Sequence, residues 1–108
     1  MNYKIASIPL FDKQAKRLAK KYPSLKDDLT ALLSTLRQNP EQGTALGNNF
    51  FKIRMAISSK SKGKSGGARV ITYVKVTATT VYLASIYDKA EKGSITNKEL
   101  ERIFGFIP

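Results

Sequence analysis

Two hydrophobic periods divide this chain, and their order restricts the folds open to it. Between Leu10 and Gln38 apolar residues recur at helical spacing, whereas from Phe50 to Tyr87 they alternate or run continuously. Phe11, Ala15, Leu18, Ala19 and Tyr22 line one face of a helix over 10–22, with Lys13, Lys16, Arg17, Lys20 and Lys21 opposite. Leu25, Leu29, Leu32, Leu33 and Leu36 repeat the spacing over 24–38, where Ser24 and Asp27 stand as in a capping box and Asn39-Pro40 stops the helix. Two amphipathic helices joined only through Pro23 predict an antiparallel pair.

The second half reads as sheet. A first short strand runs from Tyr3 to Ile8; after the helices and a glycine-containing loop over 41–49 come strands over 50–57, 68–76 and 81–87. Residues 70–76 and 81–86 are apolar on both faces, as in central strands. Thr96-Asn-Lys-Glu99 has capping-box spacing for a last helix through Phe104, with Gly105 as its stop. The predicted order is β-α-α-β-β-β-α in one domain over 1–108. That is an α+β fold with two N-terminal helices on one face of a mainly antiparallel twisted sheet. The opposite sheet face is then left open to a ligand.

Charge points to the ligand's nature. The chain carries 19 Lys and Arg against 8 Asp and Glu, a net +11 on 108 residues. A polyanion is the first partner to consider at that charge density. From Gln42 to Tyr87 there are seven basic residues and no acid. Phe51, Ile53, Met55 and Ile57 point one way from their strand, and Lys52 and Arg54 the other. Arg69 begins the next strand. Cations held together without acids repel one another, and an anion such as a phosphodiester backbone relieves that. Lys60, Lys62 and Lys64 stud a Ser/Gly loop with too little apolar content to pack, so the loop is expected to be mobile and to supply salt-dependent RNA contacts. Asp88 and Glu91 are expected to neutralise Lys89 and Lys92.

Other chemistries are excluded. With no cysteine and no histidine there is no disulfide framework, no thiolate or imidazole metal site and no Ser-His-Asp hydrolysis. No apolar run approaches the length of a spanning helix, and the N-terminus lacks a signal-peptide pattern, so a cytoplasmic protein that needs no cofactor is expected.

Three motifs, Phe51-Lys-Ile-Arg-Met-Ala56, Gly63-Lys-Ser-Gly-Gly-Ala-Arg-Val-Ile71 and Tyr82-Leu-Ala-Ser-Ile-Tyr-Asp-Lys89, carry a resemblance. In order and spacing they resemble the RelE/ParE superfamily of toxins from bacterial type II toxin–antitoxin modules, nearest the RelE- and HigB-like branch. The resemblance spans nearly the whole chain. It implies a ribosome-dependent mRNA endonuclease that cuts in the A site without a metal, the RNA 2′-hydroxyl attacking the adjacent phosphorus. It carries catalytic roles to Lys52, Arg54 and Arg69, and further to Tyr87 and Lys89. Clustered cations stabilise charge on the phosphate oxygens. Crowding favours a neutral lysine, which makes Lys52 the candidate general base. Arg69 suits a bidentate phosphate clamp. Lys89 or Tyr87 would protonate the leaving 5′-oxygen, and Lys92 would join the RNA contacts. Some members use an Arg as acid and a later Tyr against the mRNA; here no Tyr follows Tyr87, and Lys89 or Lys92 stands nearest that Arg.

The resemblance also implies partners. They are an antitoxin encoded alongside, the translating ribosome with its mRNA, and operator DNA reached only through the antitoxin. Two other functions fit the same residues. One is a toxin of this fold that poisons DNA gyrase, as the ParE branch does. The other is a non-catalytic basic module bound to RNA or the ribosome.

Overall fold

In the computed structural model, residues 2–61 and 63–108 are described. The chain forms β1 (Lys4–Ser7), α1 (Pro9–Lys21), α2 (Leu25–Gln38), β2 (Thr44–Gly47), β3 (Phe50–Met55), β4 (Ala68–Lys75), β5 (Thr80–Asp88) and α3 (Asn97–Phe104). Short 3-10 turns at Ser58–Lys60 and Val76–Ala78 link the later strands. The sheet order is β1-β5-β4-β3-β2. Only β1 runs parallel to its neighbour, and the other three pairings are antiparallel. The α+β architecture expected from the hydrophobic periods is the one observed, with one strand more than expected.

That added strand is β2, which falls in the segment read as loop. Gly43, at φ +100°, lets the backbone turn into it, and a Cβ there would lie 2.4 Å from the Lys52 carbonyl oxygen. A four-residue edge strand that is mostly exposed has no hydrophobic alternation to announce it.

The helices turn to the core what their spacing selects, with one exception. Phe11 and Leu18 of α1, and Leu25, Leu32 and Leu36 of α2, enter the core. Ala19 is exposed, and the helix instead turns Gln14 inward. The reason lies in β5. Strand β1 pairs only as far as Ser7 opposite Leu83, so the Ile86 amide beyond it has no strand partner there. Gln14 Oε1 accepts from Ile86 N at 3.0 Å and from Ser85 Oγ at 3.0 Å, which satisfies a backbone donor that burial would otherwise penalise.

The box expected at Ser24 and Asp27 does not form: Ser24 makes no side-chain cap and donates to Asp28 at 2.9 Å. The box at Thr96 and Glu99 does form, with both reciprocal bonds. Helix α3 packs on the sheet face that carries Phe50, Lys52 and Arg54. Phe50 stands opposite Tyr73, the two rings 5.1 Å apart edge to face, and Phe104 of α3 meets Tyr73 at 5.6 Å. The face expected to be open is therefore covered at its Phe50 end and free toward Arg54.

Candidate nucleic-acid interface

The register of the central strands builds the site. Arg54 of β3 stands directly opposite Arg69 of β4, and Arg69 stands opposite Tyr87 of β5. Directly opposed residues share a face, with Cβ atoms roughly 5 Å apart. Lys52 lies two residues from Arg54, hence on that face about 7 Å along the strand. Lys52, Arg54, Arg69 and Tyr87 are thus brought together by backbone pairing alone. Among the described residues, none of the three cations forms an ion pair with a carboxylate.

Their environments differ. Arg54 is exposed and Lys52 half-buried. Arg69 is only 5 % exposed, and its guanidinium is oriented by backbone. Nη1 donates to the carbonyls of Lys64 at 3.0 Å and Ala68 at 3.3 Å, and Nη2 to that of Ser65 at 3.3 Å. Those three bonds leave two of the five guanidinium donors for another acceptor. Tyr87 is 6 % exposed, and its Oη has no hydrogen-bond partner among the described residues. Burial pushes the phenol above its usual pKa, and nearby Arg69 acts in the opposite sense. The Lys92 ammonium lies 5.6 Å from the Tyr87 ring centroid and is ion-paired with Glu99.

The remaining basic candidates divide. Lys64 is exposed beside Arg54, both lining a shallow depression of about 270 Å³ next to α2. Lys89 continues the ladder, its amide donating to Gly67 O at 3.0 Å, while its ammonium donates to Gly93 O at 2.5 Å. Lys62 lies outside the described residues. Lys60, expected to meet RNA, turns inward. Its ammonium donates to Asp88 Oδ1 at 2.8 Å and lies 5.3 Å from the Tyr22 ring. Solvent is nearly absent around that pair, and Asp88 is fully buried.

The expected charge neutralisation is also redistributed. Asp88 pairs with Lys60, Glu91 with Arg17 and Lys21, and Lys92 with Glu99. Burial alone would raise the Asp88 pKa. Hydrogen bonds from Lys60, Tyr22 and the Ala90 amide outweigh it and hold the carboxyl at about 2.

The start of the loop expected to be mobile, at Ser58 and Ser59, bonds to α2 and its N-cap. Asp28 accepts from Ser58 N at 3.0 Å and Ser58 Oγ at 2.6 Å, and Ser24 Oγ accepts from Ser59 N at 2.9 Å. The Lys60–Asp88–Tyr22 cluster is a buried polar contact the sequence concealed. Its one signal was that Asp88 is the first acid after the long acid-free segment, which leaves it open to any of that segment's cations.

A cleft of about 750 Å³ lies between α3 and the Leu46–Phe50 turn. Its lining includes Phe50, Tyr73 and Phe104 and no Lys or Arg, so the cation row lies outside it. No described helix is long and apolar enough to cross a membrane. No described group of three or more acidic side chains is placed to hold a metal ion.

Comparison with known proteins accords with this fold. The fold is similar to that of the isolated E. coli RelE toxin, with TM-score 0.62 and 16% identity over 97% of this chain and 99% of that one. It is equally similar to a double-arginine mutant of E. coli RelE in the free state, with TM-score 0.62 and 15% identity over 98% of this chain and 94% of that one. Residues 10–105 match the family described as the RelE toxin of the RelE/RelB toxin–antitoxin system, and the chain therefore belongs to the RelE toxin family.

Proposed function

We propose that this RelE-family toxin is a ribosome-dependent mRNA endonuclease of the HigB-like kind, acting in the cytoplasm and neutralised by an antitoxin encoded beside it. The observation that carries the proposal is the row Arg54–Arg69–Tyr87 with Lys52 alongside, three cations on one sheet face with no carboxylate paired to them among the described residues. Such a row suits the pentavalent phosphorus of 2′-hydroxyl attack, whose charge gathers on the non-bridging oxygens. Arg69, already oriented by loop carbonyls, has donors left for two phosphate oxygens. Lys52 would take the 2′-hydroxyl proton. Lys89 or Tyr87 would return a proton to the leaving 5′-oxygen. Lys64 and Lys92 would add phosphate contacts carrying little sequence information. The row itself supplies all of this charge stabilisation, so the mechanism calls for no cofactor.

The test is primer extension on a defined mRNA in a reconstituted translation reaction, comparing wild type with Arg69→Ala, with and without ribosomes. A-site cuts that require both ribosomes and Arg69 are expected. Intact mRNA beside a wild-type protein that still arrests growth would sink the proposal and favour gyrase as target. A harmless wild-type protein would leave the basic binding module.

A further inference from the structure

Among the described residues the Asp88 carboxylate bonds neither Arg54 nor Arg69, yet both basic segments that flank the row are tied to it. Its Oδ1 accepts from Lys60 Nζ at 2.8 Å and from Ala90 N at 3.0 Å, and its Oδ2 from Tyr22 Oη at 2.5 Å. Its carbonyl oxygen accepts from Glu91 N and Lys92 N, both at 3.0 Å. One residue thus ties together Lys60 of the loop after β3, the turn over 89–92 and the end of α1.

Each attachment leads to a site residue. The loop held through Lys60 supplies the Lys64 and Ser65 carbonyls that orient the Arg69 guanidinium. The turn held through Ala90 and Lys92 sets the Lys92 ammonium against the Tyr87 ring. A buried ion pair is a weak device for stability alone, because desolvating two charges offsets most of their attraction. It is better suited to imposing one arrangement on chains that polar composition would leave loose. We infer that Asp88, through Lys60 and the following turn, is a positioning residue that holds the two basic segments against the Arg69–Tyr87 row.

The inference rests on the nuclease proposal for its catalytic consequence, but its structural half can be tested separately. The variants are Lys60→Met, and Lys60→Met combined with Asp88→Leu, which removes both charges together and so avoids an unpaired buried ion. Three experiments are run: thermal melting, amide exchange along the chain, and steady-state kinetics (kcat and KM) of ribosome-dependent cleavage. The double variant should melt within a few degrees of wild type. Amide exchange in 58–67 and at Ala90, whose amide loses its side-chain acceptor, should rise about tenfold, with the sheet core unchanged. Its kcat should fall about a hundredfold while KM for the programmed ribosome changes little, because misplacement costs rate.

A double variant with wild-type exchange in both segments, or with wild-type kcat, would overturn the inference. If the double variant fails to fold, Lys60→Met decides. It keeps the Tyr22 and Ala90 bonds to Asp88, so exchange should rise in 58–67 and stay unchanged in 89–92, and a uniform rise across the chain would count against the inference. Intact mRNA with wild-type protein would defeat the nuclease proposal while the exchange result still decides the anchor.

Discussion

Arg54 and Arg69 face each other across the β3–β4 ladder, and no carboxylate among the described residues is ion-paired to either. Like charges directly opposed in a sheet are destabilising, and opposite charges there stabilise by roughly 0.2–1 kcal/mol. The fold therefore carries a local electrostatic cost at the place where a phosphodiester would be bound.

Arg54→Glu should separate stability from function. It places a carboxylate opposite Arg69 on an exposed position, so the protein should melt a few degrees higher. Cleavage should fall by about 10²–10³, because a stabilising cation has been replaced by a repelling charge. Thermal melting and single-turnover cleavage check both halves. A variant that is less stable, or equally active, would show that the row is not an anion site held under repulsion.

Asp88 predicts a specific acid sensitivity. Its folded-state pKa of about 2 lies below the ordinary 3.8. The stabilisation it provides is therefore fully present above the unfolded value and is lost as pH falls through about 2. The contribution is on the order of 2 kcal/mol. Asp28, Glu91 and Glu99 are also held below their usual pKa: Asp28 by Ser58 and Ser24 against its burial, Glu91 chiefly by Arg17 and Glu99 chiefly by Lys92. Those three remain in Asp88→Asn and cancel in the comparison. Urea midpoints of wild type and Asp88→Asn should differ most near neutral pH and converge as pH approaches 2. Parallel curves would mean that Asp88 is not the group being titrated.

How much of this was visible in the sequence follows from the kind of contact involved. Periodicity found α1, α2 and the three long strands because burial of leucine, isoleucine and valine fixed them. It also put Lys52 and Arg54 on one face, since alternation along a strand is obligatory. The facing of Arg69 with Arg54 and Tyr87 needed the strand register, which neither the long loop before β4 nor the turn before β5 announces. The inward turn of Lys60 was hidden for another reason. A lysine among serines and glycines looks solvated until Asp88, 28 positions later, is folded against it. Gln14 gave no signal for the same reason, because its partners are backbone and side-chain groups of a distant strand.

Gly67 should be intolerant of even a methyl group. A Cβ there would stand 2.2 Å from the Met55 carbonyl oxygen and 3.0 Å from the Ile57 amide nitrogen, both backbone atoms. The start of β4 would have to move away from β3, next to Arg69 and at the point where Lys89 N bonds Gly67 O. Gly67→Ala should cost about 1–3 kcal/mol, lowering the melting temperature by on the order of 10 °C. Cleavage should fall more than the loss of folded protein accounts for. An unchanged melting temperature would show that the strand ends separate freely.

Tyr87 offers the sharpest distinction between packing and chemistry. Its ring is buried between the Arg69 row and the Lys92 ammonium, while its hydroxyl has no partner among the described residues. A buried hydroxyl without a partner costs roughly 1–3 kcal/mol. Tyr87→Phe keeps the ring and removes that cost, so the melting temperature should hold or rise. If the hydroxyl instead awaits a phosphate or leaving oxygen, removing it should slow cleavage by about 10²-fold, as for loss of a general acid. Expected together are a protein at least as stable as wild type and a cleavage step markedly slower. A Phe variant as fast as wild type would assign Tyr87 to the core, and the proton for the leaving oxygen would then fall to Lys89.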